Sequence, residues 1–151
     1  GLFTAATAVT ADGNDDNQYD RILTALKQLA TSSRITASGV LINSGDFFDI
    51  LKLKDNTGAY LFPNFMINGS ALRVGGVPVL PMTAVNAGDF LAANFQKAAQ
   101  LLFREGINVR IFEQNDTDVE DNMLTIRVEE RIALPIYRPY AMLKGDLTPT
   151  T

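Results

Sequence analysis

The chain has no histidine and no cysteine. Without them, Ser-His-Asp and Cys-His triads are excluded, and so are the usual zinc sites. Without cysteine there is no disulfide. No apolar run approaches the ~20 residues of a membrane-spanning helix. Basic residues are also scarce: 13 Lys and Arg stand against 17 Asp and Glu, for a net charge of −4. They form no cluster, which argues against a dominant nucleic-acid-binding role. The opening "GLFTAATAVTADG" has no basic segment ahead of an apolar one, so it does not read as a signal peptide. It begins without Met, which reads as a fragment or a processed product.

What is present is an ordinary globular balance. The chain has 151 residues, 46% hydrophobic and 20% charged, enough for one domain with a real core. Residues 1–16 read as a loop ending in "ADGNDDN", where Asp15, Asp16 or Asn17 can cap a helix. Residues 17–31 then place Tyr19, Ile22, Leu23, Leu26 and Leu29 at helical spacing. "SGVLIN" (38–43) reads as a short buried strand. Ser44 is the expected cap of a second helix over 45–54, with "DNTG" (55–58) as a turn and "AYLF" (59–62) extended. Residues 63–70 read as a loop. "ALRVGGVPVLPM" (71–82) reads as two short strands about Gly75-Gly76, and 86–95 contains another strand.

Residues 95–112 are ambiguous. Phe95, Ala98, Ala99 and Leu102 fit a helix stopped at Gly106, yet the same stretch fits a hairpin turning at Glu105-Gly106.

The stretch "DNMLTIRVEERIALPIYRP" (121–139) alternates with a period of two, the mark of a strand. One face holds Leu124, Ile126, Val128, Glu130, Ile132, Leu134 and Ile136. The other holds Thr125, Arg127, Glu129 and Arg131. Such a strand needs an apolar partner on one side and ionic partners on the other. The simplest reading of Arg127, Glu129 and Arg131 is a row of ionic contacts. The sharper one makes Glu129 a base in an apolar setting provided by Val128 and Ile132. Glu129 and Glu130 point to opposite faces, so they cannot form a paired-carboxylate site by themselves.

Other candidate chemistry is weaker. "DGNDDNQYD" (12–20) has oxygen ligands but not the Gly and terminal Glu spacing of a calcium loop, so a capped loop is favoured. "VGGVPV" (74–79) lacks the Lys-Ser/Thr of a phosphate cradle and reads as a turn. Phe47, Phe48, Tyr60, Phe62 and Phe65 lack interleaved basic residues and read as core. No cofactor and no metal site are expected.

Three stretches together resemble a known family: "SGVLINSGDFFDILKLKDNTGAYLF" (38–62), "GGVPVLPMTAVNAGDFLAANF" (75–95) and "NMLTIRVEERIALPIYRPYAMLKG" (122–145). They are similar to the major capsid proteins of tailed bacteriophages, in particular the lambdoid type with a covalently linked shell. The likeness runs from about residue 17 to 147. It implies an α+β fold: a small mixed sheet including 38–43, 77–82 and 140–145, flanked by two helices, with a long projecting strand. It assigns 1–116 and 138–151 to an axial-domain-like core, and 117–137 to a strand returning through a peripheral domain. The family's arm, extended loop and spine helix have no counterpart here, which implies about the C-terminal half of a subunit. The family also carries a hairpin near 98–112, so strands are expected there.

The function implied is structural: a shell subunit acting through contacts with other copies, in pentamers and hexamers of a virion capsid assembled in the host cytoplasm. No specific nucleic acid, membrane or small-molecule substrate is implied as a partner. Arg127, Glu130 and Arg131 are the expected inter-subunit ionic contacts. In the crosslinking relative, a lysine of a neighbouring subunit attacks an asparagine side chain and a glutamate serves as base. The matched motif places these two at Asn122 and Glu129. The alternatives are an encapsulin-like cargo shell and, least favoured, an enzyme built on Glu129 and Glu130.

Overall fold

The computed structural model describes residues 1–10, 17–61, 72–112 and 124–147. The candidate calcium loop, apart from residues 17–20, lies largely outside them, as do the 63–70 loop and Asn122. The chain divides into two compact units, Gly1–Ala99 with Ile136–Thr151, and Gln100–Pro135. The sequence-based boundary fell at 117. Residues 100–112 instead group with the returning strand, because they pair with it.

The first unit is built on a six-stranded mixed sheet. Its strands are β1 (Thr7–Ala8), β2 (Gly39–Ile42), β3 (Arg73–Val74), β4 (Val77–Pro81), β5 (Asp89–Ala93) and β8 (Met142–Asp146), in the order β1-β8-β5-β2-β4-β3. β1–β8 and β2–β4 are parallel, and the other pairs antiparallel. The final strand therefore rejoins the sheet, as expected, one position in from its β1 edge. The N-terminal residues are not all loop, as the sequence reading had them. A single helical turn, α1 (Leu2–Ala5), leads into the edge strand β1. Two exposed residues held by backbone pairing leave no side-chain pattern to read.

Helix α2 (Gln18–Ser32) starts where the sequence placed it. The Asn17 side chain accepts from the Tyr19 and Asp20 N–H groups, two of the donors a helix start leaves orphaned. It ends in a six-residue closure, the Ile35 N–H donating to the Leu29 carbonyl, with Arg34 in the left-handed region at φ 54°. Helix α3 (Ser44–Leu51) is capped by Asn43 and not by Ser44, which is already its first residue. Asn43 also donates from its side-chain amide to the Val85 carbonyl at 2.7 Å, tying the helix start to the next loop.

The sheet is buried on both faces. On one, Val40, Ile42, Phe90 and Ala92 pack against Ile22 and Ala25 of α2 and Phe47 and Ile50 of α3. On the other, Leu91, Ala93 and Met142 pack with Ala6, Ile35, Ala98 and Ala141. The strand period of two supplies both layers from the same strands.

Gly145 in β8 is set by this packing. It lies opposite Phe90, and a Cβ there would sit 2.6 Å from Cε1 and Cζ of that fully buried ring. Gly145→Ala is expected to destabilise the chain by ~1–3 kcal/mol through overpacking. Phe90→Leu should relieve part of that loss in the double variant, and urea denaturation of the three proteins checks it.

Candidate interaction surface

The second unit is a two-stranded antiparallel ribbon of β6 (Leu102–Phe112) and β7 (Thr125–Ala133). β6 is one continuous strand, so the strand expected here from the resemblance is present, although it does not turn back on itself within 98–112. The helical reading survives only as one turn, α4 (Phe95–Ala98). Gly106 is not a turn; it lies where the strand is irregular. Glu105 to Asn108 spans three positions against two from Arg131 to Glu129, so β6 carries an extra residue there.

The ribbon buries none of its residues. Its register segregates side chains by chemistry. Ile126 lies opposite Ile111, Val128 opposite Val109, and Ile132 opposite Phe103. These six, with Leu124 and Ile107, are each 56–72% exposed. Burying one such side chain stabilises by ~1.5–3 kcal/mol. A two-stranded ribbon alone is marginal in water, and a large open apolar face marks an interaction site. Among the described residues neither strand pairs with a third, so both edges also offer backbone N–H and C=O groups.

The opposite face is ionic and largely satisfied within the chain. The Arg127 guanidinium grips Glu129 with two contacts, Nε to Oε1 at 3.0 Å and Nη2 to Oε2 at 3.3 Å. It also lies 5.1 Å from the centre of the Phe112 ring. Both contacts offset Arg110, which stands directly across from Arg127. Arg131 pairs with Glu105 across the ribbon at 3.5 Å. The row of ionic contacts is therefore present, with Glu105 as a member that sequence alone missed. The apolar setting expected for Glu129 is not present, because alternation turns Val128 and Ile132 to the other face. The Glu129 side chain is 40% exposed and held by Arg127. Among the described residues Glu130 makes no ion pair. By alternation it shares the apolar face, so whatever covers that face meets a carboxylate.

In the first unit, residues 53–61 form an exposed, internally bonded tip. The Leu61 N–H donates to Leu53, the Asp55 N–H to Ala59, and the Gly58 N–H to Asp55, with Gly58 at φ 85°. Lys54 Nζ lies 4.7 Å from the centre of the Tyr60 ring. The Thr57 hydroxyl, then the Ala59 N–H, hold the Asp55 carboxyl below its ordinary value of 3.8. A depressed carboxyl favours the ordered tip above its unfolded value and stops doing so as pH falls through the folded one. The Ala59 amide should therefore lose hydrogen-exchange protection only below about pH 3.8 in the native chain. In Asp55→Ala it should be weakly protected at every pH.

A model of the phage capsid family, as that family is described, matches residues 1–147. The chain belongs to the phage capsid family. It is 37% identical over 150 residues to the major capsid protein of Enterobacteria phage HK97, covering 98% of this chain and 38% of that protein. Among solved structures, the capsid of an empty GTA particle superposes with a TM-score of 0.75 at 16% identity, over 99% of this chain and 56% of that one. A structure from Mycobacterium phage Che8 gives 0.70 at 18% identity, over 99% and 56%. A virus-like particle from Pyrococcus furiosus gives 0.59 at 15%, over 94% and 56%. At these identities the structural likenesses speak for the fold, which is the capsid fold expected from the resemblance. The chain spans little more than a third of its curated relative and about half of these solved neighbours.

Proposed function

We propose that this chain is the shell-forming part of a tailed-phage major capsid protein, working through contacts between copies and not by turnover. The observation that carries the reading is the ribbon: an open apolar face, backed by a satisfied ionic one, in a chain of the phage capsid family. An amphipathic ribbon of this kind reaches stability by being covered. Its partners on this reading are other copies and the rest of the subunit, in five- and sixfold rings of a virion capsid assembled in the host cytoplasm. Arg127, Glu130 and Arg131 then sit where subunits meet, with Glu130 the carboxylate left for a neighbour. The encapsulin-like alternative is not favoured, since the matching family model and the curated relative are both named for phage capsids.

By the same resemblance, Asn122 and Glu129 are the positions of a covalent crosslink in the full-length subunit. A neighbour's lysine amine would replace the Asn122 side-chain amide nitrogen, releasing ammonia, with Glu129 accepting the proton. Asn122→Ala and Glu129→Gln should each leave folding intact and abolish a covalent ladder on denaturing gels. A full-length subunit that shows no ladder before substitution would make these positions structural only.

The shell reading is tested by sedimentation of the chain at about 0.3 M salt, where exposed ion contacts are largely screened. The unsubstituted chain should associate through the ribbon. Ile126→Lys, which places a charge in the apolar face, should shift it to monomer. A strictly monomeric unsubstituted chain would overturn the reading.

A further inference from the structure

The two ends of the six-stranded sheet carry opposite charge. Gly39, Ala93 and Met142 lie side by side at one end. Three segments meet there and are tied by hydrogen bonds. The Ser33 hydroxyl donates to the Tyr140 carbonyl at 2.7 Å, the Asn94 side-chain amide to the Thr36 carbonyl at 2.7 Å, and the Arg138 N–H to the Ala98 carbonyl at 3.2 Å. Each segment presents one exposed cation: Arg34, Lys97 and Arg138. Residues 31–39, 93–99 and 136–141 contain no Asp or Glu. Among the described residues none of the three cations is in an ion pair. Tyr137 and Tyr140, 59% and 51% exposed, flank Arg138. Tyrosine and arginine together are the usual anchors of protein interfaces.

The other end is acidic. Asp89 lies directly opposite Asp146 in the β5–β8 register, an unfavourable pairing of like charges. The Asp46 carboxylate comes to the same end, accepting from the Gly88 N–H at 2.7 Å. Arg21, whose Nε–H donates to the Asp146 carbonyl, brings one positive charge to this end against the three carboxylates. From Ala93 to Asp89 is four residue steps, or ~13 Å along the strand. That exceeds the ~8 Å screening length at physiological salt, so the two ends do not neutralise each other.

We propose that the cationic end of one copy docks on the carboxylate end of a second copy, head to tail. The inference rests on the shell-subunit reading and names the surface it uses. A heterologous contact of this type repeats from copy to copy, and closes into a ring where the rotation allows. Charge complementarity selects a second copy over duplex nucleic acid, because three cations on a chain of net charge −4 make a poor phosphate-binding patch.

The test is sedimentation in the Ile126→Lys background, which silences the ribbon face, at about 50 mM and about 300 mM salt. Association is expected at the lower salt and should weaken roughly tenfold at the higher. Lys97→Glu/Arg138→Glu and Asp89→Lys should each lose it alone, while a mixture of the two should associate. That recovery also shows both variants folded. No association at low salt, association that survives the double reversal, or a mixture that stays monomeric would overturn the proposal. So would tight binding of a short DNA duplex that the double reversal removes. If Ile126→Lys disrupts assembly but charge reversal does not, the shell reading stands and this one falls.

Discussion

The insertion of β8 between β5 and β1 is the constraint on which the rest depends. Its five residues, Met142–Asp146, all pair with β5, and Leu143 and Lys144 pair also with β1, so they bring the end of the chain back to the strand formed by 89–93. Everything between Ala93 and Met142 must therefore leave the sheet and return to its own point of departure. The return is clamped. Ala99 bridges Ile136, and the Tyr137 and Arg138 N–H groups both donate to the Ala98 carbonyl. With its ends fixed together, the intervening chain has antiparallel pairing as its economical solution, and β6 and β7 take it. Gly145 belongs to the same constraint, since only a residue without Cβ lets β8 lie against Phe90.

The parts of this arrangement that were legible in the sequence are those encoded by local periodicity. Helix α2 was readable from Tyr19, Ile22, Leu26 and Leu29 together with Asn17. The strand over 124–136 was readable from its alternation, and the Gly75-Gly76 turn from glycines that both take positive φ here. What could not be read depends on residues far apart in sequence. The Arg131–Glu105 pair exists because β6 gains residues relative to β7, and no local pattern counts an extra residue in a partner strand. The 95–112 stretch defeated periodicity because it changes period within itself, one helical turn and then an extended strand. The apolar positions 107, 109 and 111 held the available signal, β-branched residues at a spacing of two.

The candidate surface was half legible for the same reason. That one face of residues 124–136 is apolar and the other charged follows from alternation alone. That the charged face is satisfied inside the chain, while the apolar face is not, required the register. The difference changes the argument about Glu129. A carboxylate two residues from an arginine on the same face of a strand is placed by that arginine, and neighbours at odd offsets face away from it.

Two kinds of surface thus coexist in one chain, and they have different physical capacities. An apolar ribbon face is non-directional: its contribution scales with area covered and tolerates sliding along the strand. Glu130 limits that tolerance, because a carboxylate in an apolar face disfavours any register that leaves it unpaired. The charged ends of the sheet work the other way. Exposed ion contacts contribute little affinity, but opposite signs at opposite ends distinguish head-to-tail approach from head-to-head, where like charges meet. On the shell-subunit reading proposed above, the two divide the work: affinity from the face that does not discriminate, and orientation from the ends that do.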